Sequence, residues 1–127
     1  MNSVPFTLSE LYGGLATCDG LLRDEGEKIV LEFQVKDAVA GFIKSGVREV
    51  KVPLKDLVSV TLTKGWLGTS WLGVKIVIQA ARMELLKDVP GASQGRVELH
   101  IARKDRDLAE RFVADLHEQE GADEPKA

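Results

Sequence analysis

The feature that most constrains this chain is a change of period. Apolar residues recur at every second position in run after run, and only in the last structured segment do they recur at three and four. In 27-EKIVLEFQVK-36, Ile29, Leu31, Phe33 and Val35 share one face while Lys28, Glu32, Gln34 and Lys36 share the other. That is the alternation of a half-buried strand. The preceding 15-LATCDGLLR-23 alternates less cleanly, but 24-DEGE-27 is a compact turn signal, and together they predict a β-hairpin.

Four further runs alternate, and one ambiguous stretch lies among them. In 48-REVKVPL-54, Val50, Val52 and Leu54 share a side, and Pro53, lacking an N–H, marks a strand end or an edge. In 57-LVSVTLTK-64, Val58, Val60 and Leu62 are expected inward, with Ser59, Thr61 and Thr63 on a solvated face. Leu72, Val74, Ile76 and Ile78 share a face in 71-WLGVKIVIQ-79, as do Val97, Leu99 and Ile101 in 96-RVELHIAR-103. Between these two, 80-AARMELLKDVPGASQG-95 reads mostly as loop, its Met83, Leu85 and Leu86 fitting either a helical turn or a short strand.

The helix is 107-DLAERFVADLHE-118. Leu108, Ala109, Phe112, Val113 and Leu116 form its apolar stripe. Asp107 and Glu110 give it an acidic start of capping-box type, and Asp107, Arg111 and Asp115 add pairs four residues apart. The polar residues 119–127 are expected to fray as an acidic tail.

Several strands followed by one amphipathic helix predict a mainly β fold, in which a bent antiparallel barrel or sandwich is capped by the C-terminal helix. The two most informative stretches are 48-REVKVPLKDLVSVTLTKGWLG-68 and 101-IARKDRDLAERFVADL-116. In the order and spacing of its elements the chain resembles a bacterial pleckstrin-homology-like (PH-like) domain over residues 14–118, with residues 1–13 set apart as an N-terminal segment. The resemblance implies seven strands where six are plain, so the seventh is expected from residues 80–88 or from 4-VPFTLSEL-11. A lipocalin-like barrel would need more strands than 127 residues comfortably supply.

Composition limits the function. One domain of this length builds a core without staples, and the single cysteine, Cys18, permits neither an internal disulfide nor a multi-cysteine zinc site. A net charge of −3 disfavours nucleic acid, whose recognition needs a basic surface. Residues 1–14 lack a basic region followed by an apolar run, and no stretch approaches the roughly 18 apolar residues of a membrane span. The expected address is the cytoplasm.

No catalytic constellation, metal spacing, cofactor motif or phosphate loop is evident, so a non-enzymatic protein without cofactor is expected. The one catalytic pairing to test is Cys18 with His100; His100 and His117 otherwise read as surface residues. Eukaryotic PH domains commonly bind phosphoinositides through basic residues at the first hairpin. Here Arg23 and Lys28 are offset by Asp24, Glu25 and Glu27, and that signature is absent.

The resemblance and the composition together lead to an interaction module, making protein contacts or self-associating through a sheet edge. The alternative is an anionic lipid or another acidic ligand on the Lys44–Lys64 face, because residues 36–64 carry six basic and three acidic side chains. The candidate contact residues are Phe42, Lys44, Lys51, Lys64, Trp66 and Trp71. If residues 57–64 and 71–79 pair directly, Val58, Val60 and Leu62 face Ile78, Ile76 and Val74. That register places Trp66 opposite Ser70 across a Leu67-Gly68-Thr69 turn, with Trp71 opposite Gly65 on the outer face. Trp66 is then a rim contact and Trp71 an anchor for an interface.

Overall fold

A computed structural model describes residues 2–11, 16–37, 46–64 and 74–123. Its strands are β1 (Ser3–Leu11), β2 (Ala16–Asp24), β3 (Lys28–Asp37), β4 (Arg48–Pro53), β5 (Leu57–Lys64), β6 (Val74–Ala80) and β7 (Arg96–Ile101), followed by helix α1 (Arg106–Asp123). The strands form one antiparallel sheet in the order β4-β3-β2-β1-β7-β6-β5. The fold is therefore mainly β with one C-terminal helix. β4 and β5 end the sheet and do not pair with each other among the described residues, so it is not a closed barrel. Its two meanders share one core, as in a bent sandwich.

The seventh strand comes from the N-terminus. Val4, Phe6 and Leu8 point inward with alternation as clean as any in the chain. β1 lies in the middle of the sheet between β2 and β7, so the unit reaches back past residue 14 to Ser3. Pro5 inside a central strand is tolerated for a specific reason. Asp24 donates to the Asn2 carbonyl, which aims the even-numbered backbone groups of β1 at β2 and the odd-numbered ones at β7. Thr7 faces His100 in register, so Pro5 faces Ala102, beyond the end of β7, and no ladder bond is lost. Residues 80–88 contain instead a 3-10 turn, Met83–Leu85, followed by Leu86 and Val89, which join the core.

The β2–β3 hairpin forms as expected. Its loop is Gly26-Glu27, closed by the Glu25 N–H on the Lys28 carbonyl, and Gly26 takes φ +90, the conformation a two-residue hairpin asks of its first loop position. Asp24 Oδ1 accepts the Gly26 N–H at 2.9 Å.

β5 departs from simple alternation. Leu57 pairs with Ala80 and Ser59 with Gln79, so Val58 is the extra residue of a β-bulge. The bulge turns Val58 out, 63% exposed, whereas Val60 stays in the core. Beyond it, Val60 pairs with Ile78, Leu62 with Ile76 and Lys64 with Val74, two residues away from the expected register. Alternation fixes which face a residue occupies, and a two-residue shift preserves every face. Among the described residues the ladder runs to Lys64–Val74, and the expected Trp66–Ser70 rung, with both tryptophans, falls within 65–73, outside the described residues.

α1 lies against β5 and β1. Ala109, Phe112, Val113 and Leu116 face the core, while Leu108, expected with them, sits at the rim, 41% exposed. A 3-10 turn, Arg103–Asp105, leads into a helix that already includes Arg106, so Asp107 is not its cap. The pair formed four residues apart is Arg106 with Glu110, at 3.0 Å, and Asp115 instead accepts from Asn2 Nδ2 at 2.5 Å. The helix continues through Asp123, into the stretch expected as a tail.

Candidate functional site

The catalytic pairing fails on geometry. Cys18 pairs with Leu8 on the inward face and is fully buried, whereas His100 pairs with Thr7 on the outer face and is exposed. Neighbouring rungs thus place the two side chains on opposite sides of the sheet. The Cys18 thiol is pushed up to about 11, first by burial and further by the Asp19 charge, against a lowering hydrogen bond from the Gln34 backbone. Such a thiol is a packing group rather than a nucleophile. Among the described residues no group of three or more His, Cys, Asp or Glu side chains has the arrangement of a metal site.

The β2–β3 hairpin carries a charge hub. Arg23 lies 2.6 Å from Glu49, 3.1 Å from Glu32 and 3.4 Å from Glu25, and Lys28 adds a 3.9 Å contact to Glu25. One guanidinium spans three strands, and the carboxylates around it leave little positive potential to offer an incoming phosphate. Arg23 Nε is buried without a hydrogen-bond partner.

The Lys44–Lys64 face does not come together among its described members. Lys51 is exposed on β4, on the same side as Glu49; Lys36 lies 3.0 Å from Asp19; Arg48 lies on the other side of β4 from Lys51; and Lys55 is exposed in the 3-10 turn Leu54–Asp56. Phe42, Lys44, Trp66 and Trp71 lie outside the described residues, and of Lys64 only the backbone is described, paired with Val74.

Both sheet edges are guarded against indiscriminate pairing. Leu54 donates to the Glu27 carbonyl, which turns the even-numbered backbone groups of β4 toward β3 and leaves Glu49, Lys51 and Pro53 facing out. Pro53 thus sits where no N–H is required, beside a charged pair of edge residues. On β5 the outward groups belong to Val60 and Leu62, and the Val60 carbonyl accepts from His117 Nε2 of α1 at 2.9 Å.

Where the edges converge, the chain exposes apolar side chains. β4 passes into β5 through the Leu54–Asp56 turn. Ala81 N–H donates to the Asp56 carbonyl at 2.8 Å, and Arg82 lies 3.5 Å from the Asp56 carboxylate. Along the chain Val58 and Met83 flank this ion pair, 63% and 64% exposed. The alternation predicts Val58 in the core and leaves Met83 in an ambiguous stretch. The bulge leaves no trace in the alternation because its extra residue, Val58, and the residue before it, Leu57, are both apolar.

Compared with protein-family models, curated proteins and solved structures, the chain matches none.

Proposed function

We propose that this chain is a non-enzymatic interaction module of PH-like type that makes protein-protein contacts, self-association among them. The observation that carries this reading is the β5 bulge, which holds Val58 in solvent beside the corner bearing Met83. A β-branched side chain held out by an irregularity of the edge strand is a feature that re-aims a residue, and bulges at sheet edges commonly do so. Two apolar side chains around an Asp–Arg pair suit a small contact patch whose rim supplies orientation. The PH-like type is supported by two meanders sharing one core with a C-terminal helix packed on β1 and β5. The separation of Cys18 from His100 supports a non-enzymatic role. The alternative, an anionic ligand on the Lys44–Lys64 face, draws no support from the described cations, which are dispersed or countered.

Sedimentation velocity from micromolar to submillimolar concentration tests the reading in its self-associating form. Wild-type protein is expected to associate, and Val58→Asp to remain monomeric with unchanged stability. A photo-crosslinking side chain at position 58 then captures a discrete protein adduct in extract of the source cells. A protein that stays monomeric and gives no discrete adduct would sink the proposal.

A further inference from the structure

A second surface, separate from the Val58 corner, lies on the outer face where β1 and β7 part. β7 is fully laddered to β6, from Gln79–Arg96 to Val74–Ile101, but its ladder to β1 holds the single pair Thr7–His100. β1 has an irregularity between Leu8 and Leu11 and leaves β7 at that point. A cleft of about 370 Å³ opens there, lined by Leu8, Lys75, Ser93, Arg96, Glu98 and His100.

Among the described residues the main chain in this cleft is one rung short. Ala80 donates to the Gly95 carbonyl, which directs Gly95, Val97 and Leu99 at β6 and therefore Arg96, Glu98 and His100 at the β1 side. Arg96 is satisfied on that side by Ser93, which exchanges two hydrogen bonds with it at 2.9 and 3.0 Å. His100 has its rung with Thr7. Between them the N–H and C=O of Glu98 face the cleft, where no described strand residue supplies a rung. Residue spacing in a strand makes the interval from Arg96 to His100 roughly 13 Å, the span of a short extended peptide.

The side chains add a charge preference. Lys75 pairs in register with His100, and the alternation makes it a non-hydrogen-bonded pair, whose side chains stand closer together. Lys75 Nζ lies 3.5 Å and Arg96 lies 3.9 Å from the same Glu98 carboxylate. Two cations share one acid through long, exposed contacts, which leaves positive charge beside the open rung.

We propose that this cleft binds a short acidic peptide segment in extended form. Its main chain completes the rung at Glu98, and a carboxylate of the segment bridges Lys75 and Arg96. Glu98 has opposed parts in this arrangement: its backbone holds the ligand, and its side chain competes with the ligand for the same two cations.

The test is an amide NMR titration of the full chain with a blocked tetrapeptide alternating glutamate and threonine. Saturable shifts are expected at Glu98 and its neighbours, with slower hydrogen exchange of the Glu98 amide. Lys75→Ala and Arg96→Ala each weaken binding about fivefold, the scale of one exposed ion pair, and the amide spectrum verifies that these surface variants stay folded. Glu98→Gln keeps the backbone and removes the competing charge, so it tightens binding by a similar factor. Absence of binding, equal binding of a lysine-threonine peptide, equal binding of glutarate, which has no amides, or weaker binding by Glu98→Gln would each overturn the proposal.

Discussion

The ring of Phe6 lies so close over Gly20 that a Cβ built on this glycine would stand 2.3 Å from Phe6 Cζ and 2.5 Å from the Glu32 carbonyl oxygen. Phe6, Gly20 and Phe33 occupy one rung across β1, β2 and β3, and both phenylalanines are buried. The missing side chain is what lets an aromatic ring cross the sheet here. Gly20→Ala is expected to destabilise the protein by about 1–3 kcal/mol, the usual cost of overpacking a filled core, because neither a buried ring nor a strand carbonyl can retreat. Urea denaturation reads it directly, and a variant as stable as wild type would contradict this packing.

The same rung shows which parts of the fold were legible in the sequence. Phe6 and Phe33 announce an inward face through their own strands, and so do Ile29, Leu31, Val97 and Leu99, because burial with period two is a local property. The sequence offers residues 4–11 and 80–88 equally as the seventh strand, and Pro5 fits a central strand only because β7 ends before it. The core face of the helix was legible for Phe112 and Leu116 but not at its rim, where Leu108 is exposed. Register was out of reach, because a shift of two residues leaves every face unchanged. The bulge at Val58 and the gap beside Glu98 depend on register, and both proposed surfaces escaped sequence reading for that reason.

Cys18 gives a pH prediction whose sign follows from burial. The folded protein keeps the thiol proton up to about 11, against an ordinary value of 9.0. Between these values the unfolded chain binds fewer protons than the folded one, so stability falls as pH rises through that window. The loss attributable to the thiol is on the order of 2–3 kcal/mol. Cys18→Ala, which lacks the thiol, should show a correspondingly shallower decline than wild type from pH 9 to 11, a comparison that removes the other groups titrating there. Identical slopes for the two proteins would refute it. In the native protein near neutral pH, a disulfide-exchange reagent should label Cys18 no faster than the chain opens.

Arg23 is the expected weak point of the β2–β3–β4 face. Removing it leaves Glu25, Glu32 and Glu49 facing one another without their shared cation. Arg23→Ala should cost about 1–2 kcal/mol, more than a lone surface pair because three carboxylates depend on one group. Much of the penalty is mutual repulsion, so it should shrink as sodium chloride screens the carboxylates. Arg23→Lys recovers only part of the loss, since an ammonium cannot reach two strands with a planar fork. A penalty independent of salt would mean that Arg23 matters through packing of its stem instead.

His117 ties the helix to the sheet edge by a hydrogen bond, its Nε2–H donating to the Val60 carbonyl across 57 positions of sequence. On β5 the backbone groups of Val60 point away from β6, so among the described residues this carbonyl has no strand to bond and would otherwise turn to water or to another chain. His117→Ala should lower stability by about 0.5–1.5 kcal/mol, the net worth of one such hydrogen bond. It should also shift the carbonyl-carbon resonance of Val60, which a change confined to helix propensity would leave in place. The freed edge makes the variant more prone to concentration-dependent association through strand pairing, and this association should survive Val58→Asp, unlike contact through the bulge. An unmoved Val60 resonance would show that the helix is held by its apolar face alone, with Phe112 and Leu116 sufficient to guard the edge.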